Sequence, residues 1–120
     1  MKQENLILTK SYNFGLRILK LYLHLKKQKV DNGLCSQLLH SRTSIGANVE
    51  EAVGGISSKD FMNKMQTAYK EARETRYWLR LLNDSEILDK KLADSFIKDC
   101  EEILKILTSI LTTSKGKGNY

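Results

Sequence analysis

No proline occurs anywhere in the 120 residues, and that absence constrains the chain more than any single motif. Proline fixes φ, removes a backbone donor and marks turns, edge strands and loop-rich folds. A chain without it is free to run as long helices joined by short breaks. Glycine agrees, falling mostly where the apolar pattern is interrupted, at Gly33 and at Gly54-Gly55.

The apolar residues recur at intervals of three and four in four segments. The first, about 4–30, places Ile7, Phe14, Ile18, Leu21 and Leu25 on one helical face, with Leu8, Tyr12, Leu19 and Tyr22 as a second stripe beside it. That arc is wider than a single neighbouring helix requires. The segment is expected to end near Asp31-Asn32-Gly33, where Asn and Gly tolerate the left-handed conformation that stops a helix. The second, 34–53, carries Leu34, Leu38, Ile45, Val49 and Ala52, with Thr43 and Glu50 opposite. The third, 58–82, begins at an N-cap supplied by Ser57 or Ser58, with Asp60 set against the helix dipole. Its inward series is Phe61, Met65, Ala68, Ala72, Thr75, Leu79 and Leu82, flanked by Tyr69 and Trp78. The stretch NDSEILD breaks the pattern; Asp84 or Ser85 is placed to cap a short turn there, and Asp89 to cap the last segment, 89–113. The face of that segment reads Leu92, Phe96, Cys100, Ile103, Leu107 and Ile110, widened by Leu104 and Leu111. Residues 115–120 offer nothing apolar to bury and read as a flexible basic tail. The expected fold is all-α: one domain over 1–114, an antiparallel up-and-down four-helix bundle. A chain of this length removes roughly two thirds of its unfolded surface from water and needs no disulfide or metal to stand.

Several function classes are disfavoured. No apolar run approaches the roughly 20 residues needed to cross a bilayer, and MKQENLILTKSYNF lacks the pattern of a secretory leader, so a cytoplasmic protein is expected. Cys35 and Cys100 lack CxxC spacing and nearby histidines, which reads as two reduced thiols. His24 and His40 fall on different helices with no companion ligand pattern. The pairs Glu50-Glu51 and Glu101-Glu102 are adjacent and so diverge on a helix, unlike the Glu-x-x-His spacing of di-iron bundles. The glycines of GANVEEAVGG lack the order of a phosphate-cradling loop. No enzyme, cofactor or metal site is expected.

Charge is informative through its placement. The formal total is +6. Residues 1–32 carry +5 and 58–83 carry +3, whereas 84–114 carry −3. On the first helix Lys10, Arg17, Lys20 and Lys27 recur at intervals of three, four or seven, with Lys26 beside them, and Arg73, Arg76 and Arg80 do so on the third. Repeated around an assembly, these side chains would form a positive band that holds phosphate backbones with little sequence preference and strong salt dependence. The alternative is that they solubilise the bundle or pair with an acidic fourth helix, which leaves a protein interaction scaffold without nucleic-acid affinity.

The stretch SRTSIGANVEEAVGG sets Ser41, Ser44, Asn48 and Glu51 along one flank of the second helix, where a packing surface would favour leucine. A half-buried Asn or Glu finds a partner or costs of order 1–3 kcal/mol. The expected partners lie on the third helix, whose KEARETRYWLR offers Arg73, Thr75, Arg76 and Trp78. A structural hydrogen-bonded seam, within or between subunits, and a ligand or nucleic-acid site are both compatible with this pattern.

The same stretch, followed by KEARETRYWLR, resembles the 23S ribosomal RNA intervening-sequence protein family. The shared pattern is S-x-G-A-N-x-x-E-A, here Ser44, Gly46, Ala47, Asn48, Glu51 and Ala52, and then K-E-x-x-E-x-x-Y-W-L, here Lys70, Glu71, Glu74, Tyr77, Trp78 and Leu79. The likeness covers about residues 5–112. It implies an up-and-down bundle assembling into a homo-oligomer, with a ring of five as the expectation. A relative in that family, the accessory variability determinant of diversity-generating retroelements, uses a basic ring to bind nucleic acid and a reverse transcriptase. By that resemblance RNA or DNA becomes an expected partner, and a reverse transcriptase only if one is encoded beside this chain. Occurrence of the family in ribosomal RNA insertions does not imply a ribosomal component.

Overall fold

The computed structural model describes residues 2–116, which form four helices: α1, Lys2–Lys27; α2, Asn32–Val53; α3, Ser58–Asp84; and α4, Lys90–Gly116. They pack as a helical bundle of 48 × 21 × 19 Å, of whose length helices of 22 to 27 residues rising about 1.5 Å per residue account for about 33–40 Å. Each helix touches the next, α4 closes back on α1, and no diagonal pair meets among the described residues.

The core follows one rule. Ile7, Ser11, Phe14, Ile18, Leu21 and Leu25 are buried on α1, and Ala93, Phe96, Cys100, Ile103, Leu107 and Ile110 on α4. Both series alternate intervals of three and four, as do Met65, Ala68, Ala72, Thr75, Leu79 and Leu82 on α3. That alternation is the heptad spacing which keeps one seam of a helix against its neighbours along its whole length. Phe14 meets Phe96 edge to face, ring centroids 6.4 Å apart, and ties α1 to α4 at mid-height.

Three details depart from the expected pattern. Leu8 and Tyr22 are half-buried as supposed, but Tyr12 and Leu19 of the second α1 stripe are exposed, lining an open groove beside the small Gly46 and Ala47 of α2. On α4 Ala93, not Leu92, points inward; Leu88 in the preceding connection is buried and takes the place Leu92 was expected to fill. Cys35 and Met62 join the core, and Phe61 is only half-buried.

The connections show how the chain turns. α1 ends four residues ahead of Asp31 in a Schellman arrangement: the Val30 N–H donates to Leu25 O and the Lys29 N–H to Lys26 O, both at 3.0 Å, with Lys29 itself left-handed at φ 61°. Asp31-Asn32-Gly33 therefore begins the next helix and does not end the first. The Asp31 carboxylate accepts from the Leu34 N–H at 3.0 Å as the α2 N-cap. Ser57, extended, caps α3 by accepting from the Asp60 N–H at 3.1 Å, which settles the choice between Ser57 and Ser58. Asp89 accepts from the Leu92 N–H at 3.2 Å at the head of α4. Gly55 is closely surrounded: a Cβ there would lie 3.1 Å from Ala52 O and 3.3 Å from Glu51 O, and would displace the Asp60 carboxylate.

Candidate nucleic-acid interface and polar seam

The basic residues singled out in the sequence divide into two groups. Along the α1–α4 seam, Lys10 Nζ sits 2.7 Å from Glu102 Oε2, and Arg17 bonds Asp99 and, at 3.1 Å, Ser95 Oγ. The Arg17 guanidinium also lies 4.1 Å over the Phe96 ring, whose face attracts the cation. Following α1 from Gln3 to Lys10 to Arg17, the partners on α4 step from Ser109 to Glu102 to Asp99. The hydrogen bond with Glu102 and its charge raise the Lys10 pKa, and the same bond with Lys10 lowers that of Glu102. On α3, Arg76 Nε donates to Glu101 Oε2 at 3.1 Å. These three cations are matched to carboxylates of the same chain.

Lys20, Lys27, Arg73 and Arg80 form the second group. All four are exposed and meet no carboxylate among the described residues. Lys26 lies 5.5 Å over Tyr22, and Arg73 lies 6.0 Å over Tyr69. Charge counting missed two further cations, Lys98 and Lys105. They belong to the acidic α4, yet both are exposed and line a groove with Arg76 between α3 and α4. Their seven-residue spacing was the available signal.

The polar flank of α2 is partly satisfied within its own helix. Ser44 Oγ donates to His40 O at 3.3 Å and Asn48 Nδ2 to Ser44 O at 2.8 Å, both within the helix. Glu51 reaches another helix, pairing with Lys64 of α3 at 3.2 Å. The side chains of Ser41 and Thr43, and the tail beyond residue 116, lie outside the described residues. Of the expected α3 partners, Trp78 lies on the α2 side, whereas Arg76 pairs with α4 and Thr75 Oγ1 donates to Glu71 O of its own helix at 2.8 Å. The physical reason is the helical period, which puts Lys64, Glu71 and Trp78, seven apart, on the α2 side of α3. Glu71 Oε2 and Trp78 Nε1 are buried there without a hydrogen-bond partner.

Gly46 faces α1, where a Cβ would lie 3.6 Å from Ser11 O. With Gly15 and Ala47 it floors an apolar groove of about 290 Å³ walled by Leu8, Tyr12, Leu16 and Leu19. Tyr12 is 65% and Leu23 57% exposed on this side. Here small residues shape a surface.

Both thiols are free and buried. Burial pushes the Cys35 thiol up and holds Cys100 at about 12, where its Sγ donates to Ala72 O at 3.2 Å. Among the described residues no three His, Cys, Asp or Glu side chains cluster as metal ligands, and no helix is long and apolar enough to cross a membrane.

The family described as 23S rRNA-intervening sequence protein matches residues 3–109 of the chain. No curated protein matches. A solved structure, that of a protein of unknown function from the S23 ribosomal protein family of Bacteroides thetaiotaomicron, is 42% identical and superposes with a TM-score of 0.87, covering 92% of this chain and 98% of that one.

Proposed function

Because the chain belongs to the 23S rRNA-intervening sequence protein family, we propose that it is a nonenzymatic accessory protein, an antiparallel up-and-down bundle that assembles with copies of itself and binds nucleic acid. The observation that carries the binding reading is the set of exposed cations on α1 and α3, Lys20, Lys27, Arg73 and Arg80, which form no ion pair with a carboxylate among the described residues. Cations without internal partners attract phosphates and release the counterions condensed on them. Lys10, Arg17 and Arg76 lend long-range charge and would contact phosphate only by leaving Glu102, Asp99 and Glu101.

Self-assembly is supported by the exposed apolar side of α1, Tyr12, Leu16, Leu19 and Leu23, beside the α1/α2 groove. A ring of five is the proposed assembly, and the cytoplasm its proposed location. A reverse transcriptase is a partner only where one is encoded beside the chain.

A second reading, a protein scaffold without nucleic-acid affinity, draws on the three internal ion pairs of Lys10, Arg17 and Arg76, which deplete the basic faces. Electrophoretic mobility shifts at about 50 mM salt separate the two, since phosphate contacts are strongest there. Retardation of RNA, DNA or hybrid that disappears as salt rises supports the first reading. No retardation of any of them leaves the second.

A further inference from the structure

Opposite the apolar α1/α2 groove, a shallow groove of about 600 Å³ runs between α3 and α4. Its two carboxylates are engaged, Glu101 by Arg76 and Glu102 by Lys10. Lys98 and Lys105 on the same wall form no ion pair among the described residues, although, after the bond with Lys10, the charges of both help to lower the Glu102 pKa. The register across the groove is fixed by two contacts, Asn83 to Asp94 and Arg76 to Glu101, separated by seven residues on each helix. The same step places Arg80 opposite Ile97 and Lys98, and Arg73 opposite Leu104 and Lys105. Two pairs of cations therefore stand about 10 Å apart along the groove.

Between Arg73 and Arg80 on the outer side of α3 lies Tyr77, 55% exposed. It is held edge to face against Trp78, centroids 5.9 Å apart, and Trp78 in turn packs against the core. An aromatic ring exposed to solvent but anchored below, set among cations that follow a groove, combines the two elements used to hold unpaired bases and their backbone. A duplex buries the faces of its bases by stacking, so only an unpaired base offers Tyr77 a surface.

We infer that the α3/α4 face is a track for single-stranded nucleic acid, with Arg73, Arg80, Lys98 and Lys105 on the phosphates and Tyr77 stacked on a base. This rests on the nucleic-acid reading above but moves the contact from α1 to α4. The reason is that Lys10 and Arg17 are held in direct ion pairs by α4 carboxylates, whereas Lys98 and Lys105 only neighbour Glu102 without pairing with it.

The test is fluorescence anisotropy at about 50 mM salt with a labelled 20-nucleotide oligouridylate and a 20-base-pair duplex. The proteins are the unaltered chain, Tyr77→Ala, Tyr77→Phe, Arg73→Ala with Lys105→Ala, and Lys20→Ala with Lys27→Ala, each checked for unchanged helical content by circular dichroism. The strand is expected to bind more tightly than the duplex, and Tyr77→Ala to weaken strand binding about tenfold while Tyr77→Phe retains it. The Arg73/Lys105 variant is expected to lose more affinity than the Lys20/Lys27 variant. Strand binding indifferent to Tyr77→Ala, or lost equally in both lysine-containing pairs, overturns the track and leaves the nucleic-acid reading standing. No binding of either probe overturns both.

Discussion

The two long sides of the bundle, α1/α2 and α3/α4, rest on the same buried heptads and differ in what they leave outside. On the first, Leu8, Tyr12, Leu16 and Leu19 surround a groove floored by Gly15, Gly46 and Ala47, and Leu23 is exposed farther along α1. The second exposes Arg73, Arg80, Lys98 and Lys105 around a groove whose acidic groups are already paired. The core therefore specifies the bundle, while under the proposed function the choice of partner falls to exposed residues outside it. Apolar surface of the first kind is suited to a copy of the same chain, and charged surface of the second kind to a polyanion.

Phe14→Ala removes a ring that both sides lean on, and it is expected to produce the largest change. It should lower stability by about 3–5 kcal/mol, measured by urea unfolding, and abolish assembly and binding together. A loss near 1 kcal/mol would mean that Phe14 and Phe96 are not the common support. Leu16→Glu combined with Leu19→Glu divides the sides more sharply. It is expected to convert the assembly to monomer on size-exclusion chromatography with helical content unchanged, since both side chains are exposed in the single chain. Persistence of the oligomer would place the self-contact elsewhere.

Smaller effects test the connections and the seam between the sides. Lys29→Gly should stabilise the chain by about 1 kcal/mol, because φ 61° costs a Cβ-bearing residue energy that glycine does not incur. A lower melting temperature in that variant would contradict the left-handed assignment. The pH response of the Lys10–Glu102 pair should be slightest. The lowered Glu102 pKa gives stability present above the ordinary carboxylate range and lost as pH falls through the folded value. The raised Lys10 pKa gives stability present below 10.5 and lost as pH climbs through its folded value. Accordingly Glu102→Gln should show a shallower fall in Tm between neutral and acidic pH than the unaltered chain. Identical slopes would mean that the pair adds nothing at its exposure.

Much of the fold was legible because proline's absence and the three-four spacing act locally: Phe14, Ile18, Leu79 and Ile103 were placed in the core from periodicity alone. Element ends were less so. Asp31 reads equally well as a helix stop or an N-cap until the Schellman bonds of Lys29 and Val30 decide it. The candidate interface was legible only as a set of cations. Spacing singled out Arg73 and Arg80 as exposed candidates, but segment charge concealed Lys98 and Lys105 within an acidic helix and could not show that Lys10 and Arg17 were engaged. Which side chains pair across a bundle depends on helix rotation and register, and neither is contained in the periodicity of a single helix. The polar flank of α2 misled for a related reason, since Ser44 and Asn48 satisfy their hydrogen bonds with carbonyls one turn back and do not need the α3 partners expected for them.

The central claim is that one side of the bundle assembles copies and the other binds nucleic acid. Multi-angle light scattering of the purified protein at low and high salt, with and without a short single-stranded RNA, tests it most directly. The account predicts an oligomer whose mass is unchanged by salt, because its contact is apolar, and which gains the mass of RNA only at low salt. A monomer at both salt concentrations, or an oligomer that dissociates as RNA binds, would contradict it.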